Sequence, residues 1–350
     1  MILVEGVYLD LDLNLFRGRI VKKGKRVIFE EDDTVDPKHL ILPLLFNAHV
    51  HLGDSIFKDP PYIPLKKLVS PPDGLKHRIL STSQEKAKIK AISRTLQYML
   101  SAGTGYGVEF REEGLKGVDI LLRAINAADL APKLIILSRP GDIEEGEKLI
   151  EVSDGFGMSS VRDHSYKFLE DLREIVRKNN GIFAIHAGEL DDRDVDDALA
   201  LEPDLLIHML SATRRQLRMV EDLEIPICLC LRSNAAYGNL DTTNAEFFRN
   251  YKHIVLGTDN VMINSPNIFR EMEFASKHFF KNDKAVIRGI FNGYRIFKKK
   301  VDSFLVMDLK TNNMDFSSDP IRSFVRRSEA SDITGIIRNG SWIFYRKKGF

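Results

Sequence analysis

Leu42-Pro-Leu-Leu-Phe-Asn-Ala-His49-Val-His51-Leu-Gly53 is an apolar run of strand length that ends in two imidazoles one residue apart. Side chains alternate along an extended backbone, so His49 and His51 share a face. The same design recurs downstream. Ile182-Phe-Ala-Ile-His186, Leu205-Leu-Ile-His208 and Ile254-Val-Leu-Gly-Thr-Asp259 each close a short apolar run with a polar group. Eight such runs occur, at 41–48, 106–110, 134–137, 155–159, 182–185, 205–207, 227–231 and 253–257. Charge-rich stretches of helical spacing lie between most of them, at 83–101, 117–128, 144–150, 165–178, 192–199, 212–223 and 243–250, and another follows at 268–279. Apolar strands alternating with helices indicate a parallel sheet covered by helices, and eight units predict closure into an α/β (β/α)8 TIM barrel. Active-site groups of such barrels converge at the C-terminal rim, where residues distant in the chain meet.

The two ends read differently. Residues 4–13, 18–21 and 26–29 have the character of short strands, with Lys23-Gly-Lys25 as a turn. Residues 303–307, 333–337 and 342–345 repeat that style, and Asn339-Gly340 is a hairpin signal. The sequence therefore predicts a composite, sandwich-like β-module from 1–41 and 301–350, beside a barrel over 42–300.

Bulk composition narrows the function classes. The chain has 350 residues, 43% of them apolar, enough for a large core. Its 51 Lys and Arg nearly balance 50 Asp and Glu, which argues against a nucleic-acid groove or a polybasic membrane face. A charge at Glu5 interrupts any secretory apolar segment, and no run is long enough to span a bilayer. A cytoplasmic protein acting on a small molecule is expected. Cys228 and Cys230, at i and i+2 on one run, read as small apolar side chains of a reduced core.

Neutral imidazoles with one carboxylate suit a divalent cation that keeps a position open for water. Nitrogen and oxygen donors discriminate weakly among metals, so Zn2+ is the default and Fe2+, Mn2+, Ni2+ or Co2+ would also fit. The H-x-H pair alone is a weak signal. The coincidence of four rim positions in the order H-x-H, His, His, Asp carries the argument.

These residues resemble the amidohydrolase superfamily. The stretch 42–53 looks like its opening barrel strand, and His186-Ala-Gly-Glu189 has the His-x-x-Glu spacing of its aminohydrolase branch, which includes adenosine, cytosine, guanine and S-adenosylhomocysteine deaminases and the triazine chlorohydrolases. Gly257-Thr-Asp-Asn260, with Asn264-Ser265 and Ile268-Phe-Arg-Glu-Met272, resembles the eighth-strand segment of the chlorohydrolase group, and the tail from Asp319 to Gly340 its closing module. The resemblance covers nearly the whole chain. It implies His49, His51, His186 and Asp259 as metal ligands, His208 beside the attacking water, and Glu189 as proton shuttle, with Asp259 also accepting a proton. Read on its own, Glu189 could instead be an acid at the N-terminus of the following helix. Binuclear members carry a bridging lysine or acid on strand four. Residues 152–160 have no lysine, and Asp154 lies at the wrong end, so one metal ion is expected. A homodimer is what the family suggests.

Glu109, Arg111, Arg139, His164, Asn234 and Asn260 stand where a substrate could be read, although each could equally be a solvated loop residue or a helix cap. Arg162 and Ser233 occupy similar places, and His77 lies in a long Pro-rich segment, 59–81, suited to an active-site lid. Loops that would hold a large ligand are short here, as between strands three and four. The expected activity is hydrolytic deamination of an amino-substituted N-heterocycle, a purine, pyrimidine or pterin. Hydrolysis of a cyclic amide or imidazolone, displacement of another leaving group from a heteroaromatic carbon, and a non-catalytic ligand-binding barrel are the alternatives.

Overall fold

The computed structural model describes every residue except Lys25, Pro72 and 346–350. The turn expected at 23–25 falls on Lys25, and the expected terminal module includes 346–350, so those parts lie outside the described residues.

A parallel sheet forms the centre. Its strands are Leu45–His51, Thr104–Arg111, Lys133–Ser138, Gly155–Met158, Ile182–Ala187, Leu205–His208, Ile227–Leu229 and Ile254–Leu256, in spatial order along the chain. The eighth strand resumes after Gly257-Thr258 as Asp259–Asn260. Its first part pairs with strand seven and its second with strand one. The sheet therefore meets itself, as in a TIM-like α/β barrel. A side chain at Gly257 could not be accommodated at this seam, because a Cβ there would lie 2.7 Å from the His49 backbone nitrogen. Phe46, Phe110, Leu137, Ala184, Ile207 and Cys228 fill the interior as one apolar cluster. Both cysteines are buried, free and in that cluster.

The terminal segments form one mixed seven-stranded sheet, in the order Ser341–Tyr345, Ile333–Arg338, Ser303–Asp308, His39–Pro43, Ile2–Leu9, Leu15–Lys23, Arg26–Glu31. Asn339 and Gly340 both adopt positive φ (51° and 73°), the backbone a two-residue hairpin requires. The apolar run that begins at Leu42 is divided between the two sheets. Leu42 and Pro43 pair antiparallel with Leu305 and Phe304, and the barrel strand starts only after Leu44. The cores are continuous, since Leu9, Leu40 and Leu305 belong to the main buried cluster of the barrel.

Residues 59–81 form two short helices, Leu65–Val69 and Leu75–Thr82, that lie over the C-terminal rim. Among the described residues no helix is long and apolar enough to cross a membrane.

Candidate metal centre and active site

Local backbone geometry aims the functional side chains. Phe46 and Ala48 face the interior, and strict alternation would turn His49 outward. The pairing of strand one with strand two shifts register between Asn47 and Val50, and beyond the shift His49 and His51 face inward. A similar break serves His208. It follows inward-facing Ile207, yet turns to the rim because its backbone is left-handed, φ 74°. Asp259 is also left-handed, φ 59°. Each non-glycine residue so placed costs about 1–2 kcal/mol, and such strain gathers at functional sites.

Four side chains converge. His49 Nε2 lies 3.2 Å from His186 Nε2 and 3.2 Å from Asp259 Oδ1. His51 Nε2 is 3.5 Å from the same oxygen. One ligand atom from each of the four residues falls within 4.8 Å of all the others. Two of the outer nitrogens face acceptors, the arrangement that metal ligation favours, while His49 Nδ1 is buried without a hydrogen-bond partner among the described residues. His186 Nδ1 is 2.8 Å from the Met158 carbonyl, which can only accept, so Nδ1 carries the proton and Nε2 offers a lone pair. His51 Nδ1 stands 2.9 Å from the Glu112 carboxylate.

Two imidazole lone pairs this close repel unless a proton or a cation lies between them. Burial holds His49 down to about 3 against the pull of Asp259, and burial with neighbouring histidines holds His186 well below its ordinary value. Protons therefore do not fill the gap near neutrality. Burial opposes the charge on Asp259, but His49 and the other imidazoles hold its carboxyl well below the usual range. Neutral imidazoles and one anionic carboxylate fit a divalent cation.

Beside this cluster stands a second group. Glu189 Oε1 is 3.5 Å from His208 Nε2, and Glu189, His208 and Asp259 again lie within reach of one another. Burial raises the Glu189 carboxyl above its ordinary pKa, with His208 opposing. His208 Nδ1 is 3.2 Å from Asn234 Oδ1, and Ser233 Oγ donates to Asp259 Oδ2 at 2.5 Å. Both partners come from one short helix, Leu231–Ala236, whose first turn is held by Glu271 accepting from the Arg232 amide at 3.2 Å.

A cavity of about 210 Å³ opens above the cluster. Arg139 and Asn260 line it, together with Glu189, Ser159, Ser160 and residues of the lid. Arg162 lines it too, with its guanidinium bound to Asp191. Four of the expected substrate contacts are placed elsewhere. Asn234 backs His208. His164 bonds Ser159 Oγ at 3.2 Å from outside the lining. Glu109 and Arg111 are fully buried away from the cavity, because inward-facing Phe110 turns its neighbours outward. Glu109 accepts from the Leu52 amide at 2.7 Å and lies 3.6 Å from Arg111, which in turn binds Glu113. His77 is likewise structural, 3.0 Å from the Val69 carbonyl. Lys76, Asp54 and Glu112 form a buried cluster beside His51 that the sequence does not announce; nothing in their spacing sets them apart from solvated loop charges.

Glu109 gives a stability prediction. Burial pushes its pKa up to about 8, with Arg111 opposing, whereas the unfolded chain titrates near 4.5. Between these values the folded state holds a proton that the unfolded state has lost, so this group destabilises the protein as pH rises. The melting temperature of Glu109→Gln should gain on wild type from pH 5 to pH 8. Parallel pH profiles in thermal melts would refute the assignment.

A barrel with such a rim defines a metal-dependent hydrolase. The chain belongs to the amidohydrolase family, whose sequence profile matches residues 40–289. It is 36% identical over 343 residues to the "Putative aminohydrolase" of Archaeoglobus fulgidus, covering 95% of this chain and 99% of the relative. Among solved structures it resembles an adenosine deaminase from Xanthomonas campestris with bound zinc (TM-score 0.77, 12% identity, 97% of this chain and 92% of that one). It also resembles the E. coli guanine deaminase (TM-score 0.76, 14% identity, 98% and 99%). At these identities the likeness is one of fold.

Proposed function

We propose that the protein hydrolytically deaminates an amino-substituted N-heterocycle, a purine, pyrimidine or pterin. The observation that carries this reading is Glu189, a half-buried carboxyl with raised pKa that lines the cavity, beside the four convergent donors yet outside them. One divalent cation, zinc by default, would be held by Nε2 of His49, His51 and His186 and by Asp259 Oδ1. When bound, it supplies the Lewis acidity that brings the pKa of water toward neutrality.

The chain's own groups do the rest. Asn234 accepts from His208 Nδ1, which leaves Nε2 to accept a hydrogen bond and orient the attacking water. Asp259, steadied by Ser233 on its other oxygen, accepts the water proton. Glu189 gives its proton to the ring nitrogen next to the attacked carbon and recovers one from the added hydroxyl as the carbonyl forms, and the proton held by Asp259 goes to the departing amine. A carbon–oxygen bond forms, the exocyclic carbon–nitrogen bond breaks, and ammonia leaves. Arg139 and Asn260 line the cavity wall that the heterocycle would meet. The likeness of fold to adenosine and guanine deaminases supports the reaction class.

Zinc-loaded protein should release ammonia from at least one member of a panel of aminopurines, aminopyrimidines and aminopterins. Silence across the panel contradicts the proposal, and product carrying a new carboxylate would assign ring opening instead.

A further inference from the structure

Lys76 is a charged residue on the lid helix Leu75–Thr82, and only 4% of it is exposed. Its ammonium lies 2.5 Å from Glu112 Oε1, 3.1 Å from Asp54 Oδ1 and 3.3 Å from Asn260 Oδ1. Burial alone would lower the pKa of a lysine, but the two carboxylates reverse this and raise it. Among the described residues, Asp54 has no other cation within ion-pair distance, and Glu112 has only His51.

Each partner leads to the metal centre. Glu112 Oε1 is 2.9 Å from His51 Nδ1. Asn260 Nδ2 donates to Asp259 Oδ1 at 3.0 Å. Asp54 sits on the 3-10 turn that directly follows His51. Gly53 makes room for the arrangement, since a Cβ there would lie 3.2 Å from Glu112 Oε2 and 3.1 Å from Arg111. One ammonium carried by the lid thus braces the outer partners of two ligands from the first and last barrel strands.

We propose that Lys76 is a positioning residue that couples metal binding to lid closure. The inference rests on the ligand assignment above. With the lid docked, Lys76 neutralises Glu112 and Asp54 and fixes the orientation of His51 and Asp259. With the lid open, two buried carboxylates lose their counter-charge and the ligands lose their bracing. Binding linkage is reciprocal, so a cation at the centre must hold the lid closed by as much as the lid tightens the cation.

The test uses the full chain, with zinc as the probe. Zinc affinity is measured by competition with a chromophoric chelator, and amide hydrogen exchange over 75–82 is followed with and without zinc. In wild type, zinc should slow exchange of the lid helix. In Lys76→Met, affinity should fall by roughly 10- to 100-fold, as for loss of an outer-sphere partner, and zinc should no longer slow lid exchange. Lys76→Arg should recover part of both. If Lys76→Met does not fold, Glu112→Gln serves, since it weakens the same link while keeping shape. Wild-type zinc affinity with zinc-dependent lid protection intact in the variant would overturn the coupling alone. A wild type that binds no zinc would overturn the ligand assignment, and the coupling with it.

Discussion

Glu189→Gln is expected to lower kcat by roughly 10²- to 10⁴-fold, the range a positioned acid–base group contributes, while zinc content and melting temperature stay at wild-type values. Glutamine has nearly the same shape as the carboxyl, and its amide can donate to His208 Nε2 across the same contact, 3.5 Å away. It cannot carry a proton. Glu189 also lies outside the four-residue donor set, so the cation should remain in place. A structural acid at a helix N-terminus would give the opposite pattern, with stability lost and turnover kept. Steady-state kinetics on the substrate identified by ammonia release, with metal analysis and thermal melts on the same preparation, separates the two. A kcat within threefold of wild type would remove the shuttle role.

The second large effect is expected at Asp259. Asparagine tolerates the left-handed backbone found there, φ 59°, better than alanine does. Asp259→Asn therefore deletes the charge with little backbone penalty. That charge contacts His49 and His51 through Oδ1 and Ser233 through Oδ2. Zinc affinity should fall by more than the roughly 100-fold that loss of an outer-sphere partner can cost, and turnover should fall with it. His186→Ala should behave alike, because its Nε2 is one of the two lone pairs that face each other at 3.2 Å. A variant that keeps zinc but loses turnover would move Asp259 from the ligand set to the proton path alone.

The barrel was legible because its strands obey a simple rule. An apolar run buried on both faces must end before a polar residue, and the parallel topology brings those ends to one rim. His49, His51, His186, His208 and Asp259 could be picked out for that reason. Parity was legible but misapplied at strand two. Val108 and Phe110 are the apolar pair that fills the interior, so Glu109 and Arg111 had to face away from the axis. Other features were not legible at all. The division of the first run after Pro43 depends on Ser303–Asp308 pairing with His39–Pro43, a contact between chain ends. The inward turn of His208 depends on a left-handed backbone no local residue announces. Lys76, Asp54 and Glu112 look like solvated charges until the lid folds over the rim and buries all three.

The proposed centre is one cation held by three imidazoles and one carboxylate. Zinc-edge X-ray absorption of protein loaded to saturation, with metal content counted on the same sample, tests this most directly. One zinc per chain is expected, with a first shell of nitrogen and oxygen only, at about 2.0–2.1 Å, and imidazole scattering beyond it. Two zinc ions per chain, no retained zinc, or thiolate scattering near about 2.3 Å from the buried cysteines of the barrel interior would contradict it.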